Sequence, residues 1–84
     1  MSYEVVILPR ARKELDALPA QQRLAAEIKI EILHENPRPV GCKKMTGREG
    51  WRIRTGDYRI IYKIDDGMKI VTVVNVGHRR EIYR

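Results

Sequence analysis

Only one cysteine, Cys42, occurs in the 84 residues. No internal disulfide can therefore form, which excludes a disulfide scaffold and fits a reducing cytoplasm as the expected location. His34, Cys42 and His78 do not have the spacing of a zinc site, so neither a metal nor any other cofactor is expected. No apolar run is long enough to cross a bilayer. The opening Met1-Ser2-Tyr3-Glu4 lacks the charged head and apolar stretch of a secretory signal, so no membrane association or export is expected. There is no internal repeat, low-complexity tract or linker. The expectation is a single domain, residues 1–84, with a core just large enough to fold without staples.

The composition that is present is that of an ordinary globular protein, with 43% hydrophobic and 33% charged residues. Its formal net charge of +6 is unevenly placed. Residues 1–37 hold five Lys or Arg against six Asp or Glu, a net of −1, whereas residues 38–84 hold twelve against five, a net of +7. Cations clustered in this way attract polyphosphates and give binding that weakens with salt. A docking face for an acidic protein, or a surface kept basic for solubility, would use the same charge.

Val5-Val6-Ile7-Leu8 suits a short buried strand, closed by Pro9. Proline is tolerated in the first turn of a helix, where its missing N–H would have no partner, and Ala11, Leu15 and Leu18 follow at helical spacing. Pro19 breaks that pattern and starts a second helix. There Leu24, Ile28 and Ile32 recur every four residues with Ala25 beside them, which predicts an inward stripe, while Arg23, Glu27, Glu31 and Glu35 face elsewhere. Asn36-Pro37 ends the helix, since the residue before proline avoids the α region. Residues 37–50 read as a basic loop. From Trp51 the period becomes two: Trp51, Ile53 and Thr55 alternate with Arg52 and Arg54. Gly56-Asp57 suits a type II′ hairpin turn, Tyr58 to Ile64 a strand, Asp65-Asp66-Gly67 a second turn, and Lys69 to Val76 a last strand before a short polar tail. This order predicts an α+β fold: an N-terminal strand, a helical hairpin, then a three-stranded antiparallel meander, together making a mostly antiparallel four-stranded sheet.

If Gly56-Asp57 closes the hairpin, Arg54 pairs with Arg59 and Arg52 with Ile61. Three arginines then share one side of the sheet, opposite a core face of Trp51, Ile53, Tyr58, Ile60, Tyr62, Val71 and Val73. Like charges directly opposed across a ladder are destabilising, whereas the planar, permanently charged guanidinium suits phosphate oxygens. The competing reading is a solvated outer face that keeps the sheet from pairing with other chains. A non-catalytic RNA-binding module would show exposed aromatics for stacking. Here Trp51, Tyr58 and Tyr62 fall on the core side instead.

The segment Trp51-Arg52-Ile53-Arg54-Thr55-Gly56-Asp57-Tyr58-Arg59-Ile60-Ile61-Tyr62 resembles the central signature of the RelE/ParE toxin superfamily. Val76-Gly77-His78-Arg79-Arg80-Glu81-Ile82-Tyr83 resembles the C-terminal signature of its RelE-like members, and the resemblance covers essentially the whole chain. It implies a microbial ribonuclease-like fold and a ribosome-dependent endoribonuclease that cuts bound mRNA by attack of the RNA's own 2′-hydroxyl, without a metal. It implies that Arg52 and Arg54 match basic strand positions that are commonly lysines. Arg59 matches a residue holding the scissile phosphate, Arg79 one stabilising or protonating the leaving oxygen, and Tyr83 one stacking on or activating the substrate. His78 stands where RelE has lysine. Because arginine, with a pKa above ~12, cannot act as a base, His78 or Tyr83 is the expected proton acceptor. Lys43, Lys44, Arg48 and Arg80 are expected to add RNA contacts. A cognate antitoxin encoded alongside is implied, with operator DNA bound only through it. The alternative within the superfamily is a ParE-like toxin that binds DNA gyrase and cuts nothing.

Overall fold

The structure is a computed structural model and describes residues 2–78. The elements run β1 (Glu4–Ile7), α1 (Pro9–Asp16), α2 (Ala20–Glu35), β2 (Lys43–Lys44), β3 (Trp51–Thr55), β4 (Tyr58–Asp65) and β5 (Ile70–His78). They form one five-stranded sheet in the order β1-β5-β4-β3-β2. β1 lies parallel to β5 and the remaining pairs are antiparallel. The α+β class and the mostly antiparallel sheet match expectation. The fifth strand is β2, whose two residues are too few to show a period in sequence.

Both helices start at prolines, as their sequence signals require. Pro9 is in the first turn of α1, and the Pro19 carbonyl accepts from the Arg23 amide at 2.8 Å. The hairpin register is the expected one, Thr55 with Tyr58 and Arg54 with Arg59. Gly56 takes φ +62 while Asp57 keeps a negative φ, the combination that a type II′ turn needs.

One face of the sheet packs on the helices. Ala11, Leu15, Ala26, Ile30 and Leu33 meet Ile53, Ile60, Tyr62, Val71, Val73 and Val76 in a single buried cluster, with Trp51 packed partly buried against it. Tyr58, also expected there, is half-buried. The α2 expectation needs correction. Ala26, Ile30 and Leu33 face inward, whereas Leu24, Ile28 and Ile32 are 59%, 55% and 41% exposed. The helix is apolar around much of its circumference, so two rows compete for the core. The row with the small Ala26 at its head allows the closer approach to the sheet.

The last strand also differs from expectation, since β5 begins at Ile70 and runs on to His78 rather than ending at Val76. Its register with β4 slips at Ile61/Tyr62: Ile61 pairs with Asn75 but Tyr62 with Val73, leaving Val74 as an extra residue. A bulge of this kind exchanges the two faces of the strand beyond it. Val76 therefore enters the core, and His78, paired with Tyr58, follows it to the helix side.

Candidate nucleic-acid interface

The face away from the helices carries the outward residues of β2, β3 and β4. Lys43 is directly opposite Arg52, and Arg54 is directly opposite Arg59. Four cations thus stand on one face in two like-charge cross-strand pairs, a costly arrangement for a sheet serving only its own stability. Lys43, Arg52 and Arg54 line a cleft of 260 Å³ together with Gly41. Gly41 takes φ +96, so that part of the wall is bare backbone where a side chain would be strained.

The four cations differ in setting. Arg54 is exposed and Arg52 half-buried. Arg59 is only 3% exposed. Ile61 beside it is 1% exposed yet lies outside the helix-side core. Gly50 comes close to this point: a Cβ there would meet the Tyr62 carbonyl oxygen at 3.2 Å and the Ile61 side chain at 3.9 Å, and its φ is +124. The segment before β3 thus closes over part of the open face near Ile61, while Arg54, Arg52, Lys43 and, further along β4, Lys63 remain accessible.

The other expected site residues divide clearly. Lys44 pairs with Trp51, so it lies on the opposite side of β2 from Lys43. Arg48 is exposed in the β2–β3 connection. His78 is not brought to the arginines. Its ring meets that of Tyr58 edge-on at 5.6 Å, and both line a 440 Å³ groove with Glu14 and Leu18. Arg79, Arg80 and Tyr83 lie outside the described residues. Among the described residues no group of three or more His, Cys, Asp or Glu could hold a metal ion, and no helix is long and apolar enough to cross a membrane.

Sequence reasoning missed the polar cluster that ties down the loop leading to this face. Arg38 forms a two-pronged ion pair with Asp66, at 2.8 and 3.2 Å, and lies 5.1 Å over the Trp51 ring. The Tyr3 hydroxyl donates to the same carboxylate at 2.7 Å. These hydrogen bonds, those of Arg38 foremost, hold the Asp66 pKa down to about 2, and the bond to Asp66 raises that of Tyr3. The Tyr62 hydroxyl donates to the Pro37 carbonyl at 2.8 Å in buried surroundings, and burial pushes its pKa up. No local signal announces these contacts, because their partners are 25 to 63 residues apart.

Comparison with known proteins agrees with this architecture. The family described as the ParE toxin of type II toxin–antitoxin systems, parDE, matches residues 5–83. Toxin RelE of Mycobacterium tuberculosis is 34% identical over 84 residues, covering 98% of this chain and 87% of its own. Toxin RelG of the same organism is 34% identical over 87 residues, covering 100% and 99%. A chain of the M. tuberculosis RelBE2 toxin–antitoxin complex superposes with a TM-score of 0.82 at 28% identity, covering 94% of this chain and all of that one. The isolated Escherichia coli RelE toxin gives 0.80 at 29%, covering 98% and 92%. The chain belongs to the ParE toxin family of type II toxin–antitoxin systems. Within that class it is a RelE-like toxin.

Proposed function

We propose that this toxin is an endoribonuclease that acts in the cytoplasm on mRNA held by the ribosome and so stops translation. The observation that carries the reading is the pair of like-charge cross-strand contacts, Lys43 with Arg52 and Arg54 with Arg59, on the helix-free face. A phosphate between such cations would accept charge-assisted hydrogen bonds from more than one of them.

In the proposed reaction the ribose 2′-oxygen attacks the neighbouring phosphorus, the bond to the 5′-oxygen breaks, and the products are a 2′,3′-cyclic phosphate and a 5′-hydroxyl. Arg54 and Arg59 would hold the reacting phosphate and stabilise its added charge, while Arg52 and Lys43 would align the adjoining chain. Arg79 and Tyr83 keep the roles the resemblance implies, near the leaving oxygen and the attacking one. His78, on the helix side, is not assigned the base. Several relatives of known structure are toxins in complex with RelB antitoxins, which supports a cognate antitoxin as the restraint on this activity, with operator DNA bound through that partner.

The second reading, a gyrase-binding toxin, is favoured by the description of the matching family as ParE. Expression of the chain alone, with pulse labelling, separates the two. Translation should fail first, with 5′-hydroxyl ends mapped on mRNA from isolated ribosomes, and the cleavage should weaken steeply with salt. Early failure of replication with intact mRNA would give the site to gyrase.

A further inference from the structure

We infer that Arg38 and Asp66 are positioning residues for the cationic cleft, clasping the loop that carries Gly41 and Lys43 against the strand that carries Arg52 and Arg54. The inference takes its functional consequence from the nuclease reading; its structural half stands independently.

Residues 36–42 connect the end of α2 to β2, and β2 has only two residues with which to grip β3. Lys43 stands directly opposite Arg52, so the side chains of that short pairing add no attraction of their own. A contact from outside the two strands can then fix the cleft wall. The Arg38 guanidinium grips Asp66 in the β4–β5 turn with both of its terminal nitrogens and covers Trp51, the residue that precedes Arg52 on β3. One side chain thus joins the loop to the strand of the opposing cleft wall. The post at its far end is itself braced, since Asp66 also accepts from Tyr3. The Tyr62 hydroxyl fixes the neighbouring Pro37 carbonyl.

Downstream of this anchor the loop is also held by Cys42, partly buried against the core, and by two backbone hydrogen bonds. The Cys42 amide donates to the Pro39 carbonyl at 3.1 Å, and the Met45 amide to the Gly50 carbonyl at 3.0 Å. Val40 is fully exposed. The position of the Lys43 ammonium thus depends in part on the clasp, which pre-sets the spacing of the cations before RNA arrives. An exposed ion pair with no such role would contribute little to anything but local order.

The test uses the full chain on mRNA-programmed ribosomes. Asp66→Asn, and Arg38→Lys, which keeps the charge but loses the fork and the stacking, should each raise KM up to about fivefold while kcat holds. Each should lower the log–log salt slope of ribosome binding by about 0.7, the loss of one phosphate contact. In a Lys43→Gln background neither substitution should add a further KM loss, because the group they position is gone. Amide hydrogen exchange gives a readout independent of activity: exchange at Cys42 and Met45 should accelerate in Asp66→Asn while Ile60 stays protected. Additive KM losses with Lys43→Gln, or unchanged exchange at Cys42 and Met45, would overturn the inference. A wild-type protein that leaves ribosomal mRNA intact would sink the nuclease reading, and exchange alone then decides the clasp.

Discussion

The two faces of this sheet are built from alternate residues of the same strands, yet they solve opposite problems. On the helix side, Ile53, Ile60, Tyr62, Val71, Val73 and Val76 are nearly inaccessible and belong to one apolar cluster. On the other side Lys43, Arg52, Arg54 and Arg59 are set against one another. Charge near the helix side is matched: Asp66 answers Arg38, and Glu14 accepts from the Val76 amide at 2.9 Å. Among the described residues, the cations paired across the open side share one sign. The apolar packing is thus vested in one face, while the other sets cations against one another.

The division is not perfect, and its exception makes the largest test. Ile60 and Ile61 are adjacent and equally buried, at 0% and 1% exposed, but only Ile60 belongs to the helix-side core. Ile60→Ala should cost about 2–5 kcal/mol of unfolding free energy, because the packed layer around it cannot collapse into the space. Ile61→Ala should fall at the low end of that range, ~2 kcal/mol, because the loop near Gly50 can settle into the gap. Urea titration of the two variants measures the difference. Equal losses would mean that the open face hides a second core of comparable weight.

The arginine pair sharpens the contrast between function and stability. Arg54→Ala and Arg59→Ala should each slow cleavage by ~10²–10³, the loss expected when one donor to developing charge is removed. Their stabilities should part company. Arg54 is exposed, so its loss relieves repulsion and should leave the protein as stable or more so, by ~0.2–1 kcal/mol. Arg59 is almost fully buried and engaged by other groups, so removing it should destabilise. If both variants melt together below the wild type, the pair is structural and the open face loses its claim to a site.

Where the sequence was legible, a local rule had no competitor. The β3–β4 hairpin had a strict period of two and one turn with one suitable geometry, so even the Arg54–Arg59 opposition could be read before any coordinates. In α2 two apolar rows satisfied the helical period equally, and only packing against the sheet chose Ala26, Ile30 and Leu33. The side of the sheet on which His78 lies was not legible either: β5 runs on to it, and the bulge at Val74 is a one-residue register slip, invisible in a run of β-branched residues, that reverses the face of everything after it. The burial of Arg59 was equally hidden, since alternation says which side a residue faces and not how deeply it is covered. The Arg38–Asp66 contact joins residues 28 apart through tertiary folding alone.

The smallest expected effect concerns that contact and tests whether the carboxylate-bound charge near the covered face behaves differently from the arginines of the open face. Asp66 titrates at about 2, below the ordinary carboxylate value of 3.8, because Arg38 first and Tyr3 second bind its ionised form. A depressed folded-state pKa contributes stability that is fully present above the unfolded value and is lost as pH falls through the folded one. Between pH 5 and pH 2 the wild type should therefore lose a modest increment of thermal stability that Asp66→Asn does not lose, and the two melting curves should converge as pH approaches 2. The arginines of the open face remain charged throughout this window, so Arg54→Ala should run parallel to the wild type. A wild type and Asp66→Asn that keep a constant offset from pH 5 to pH 2 would show that the fork to Arg38 does not hold in solution, and would remove the distinction between the two sets of charges.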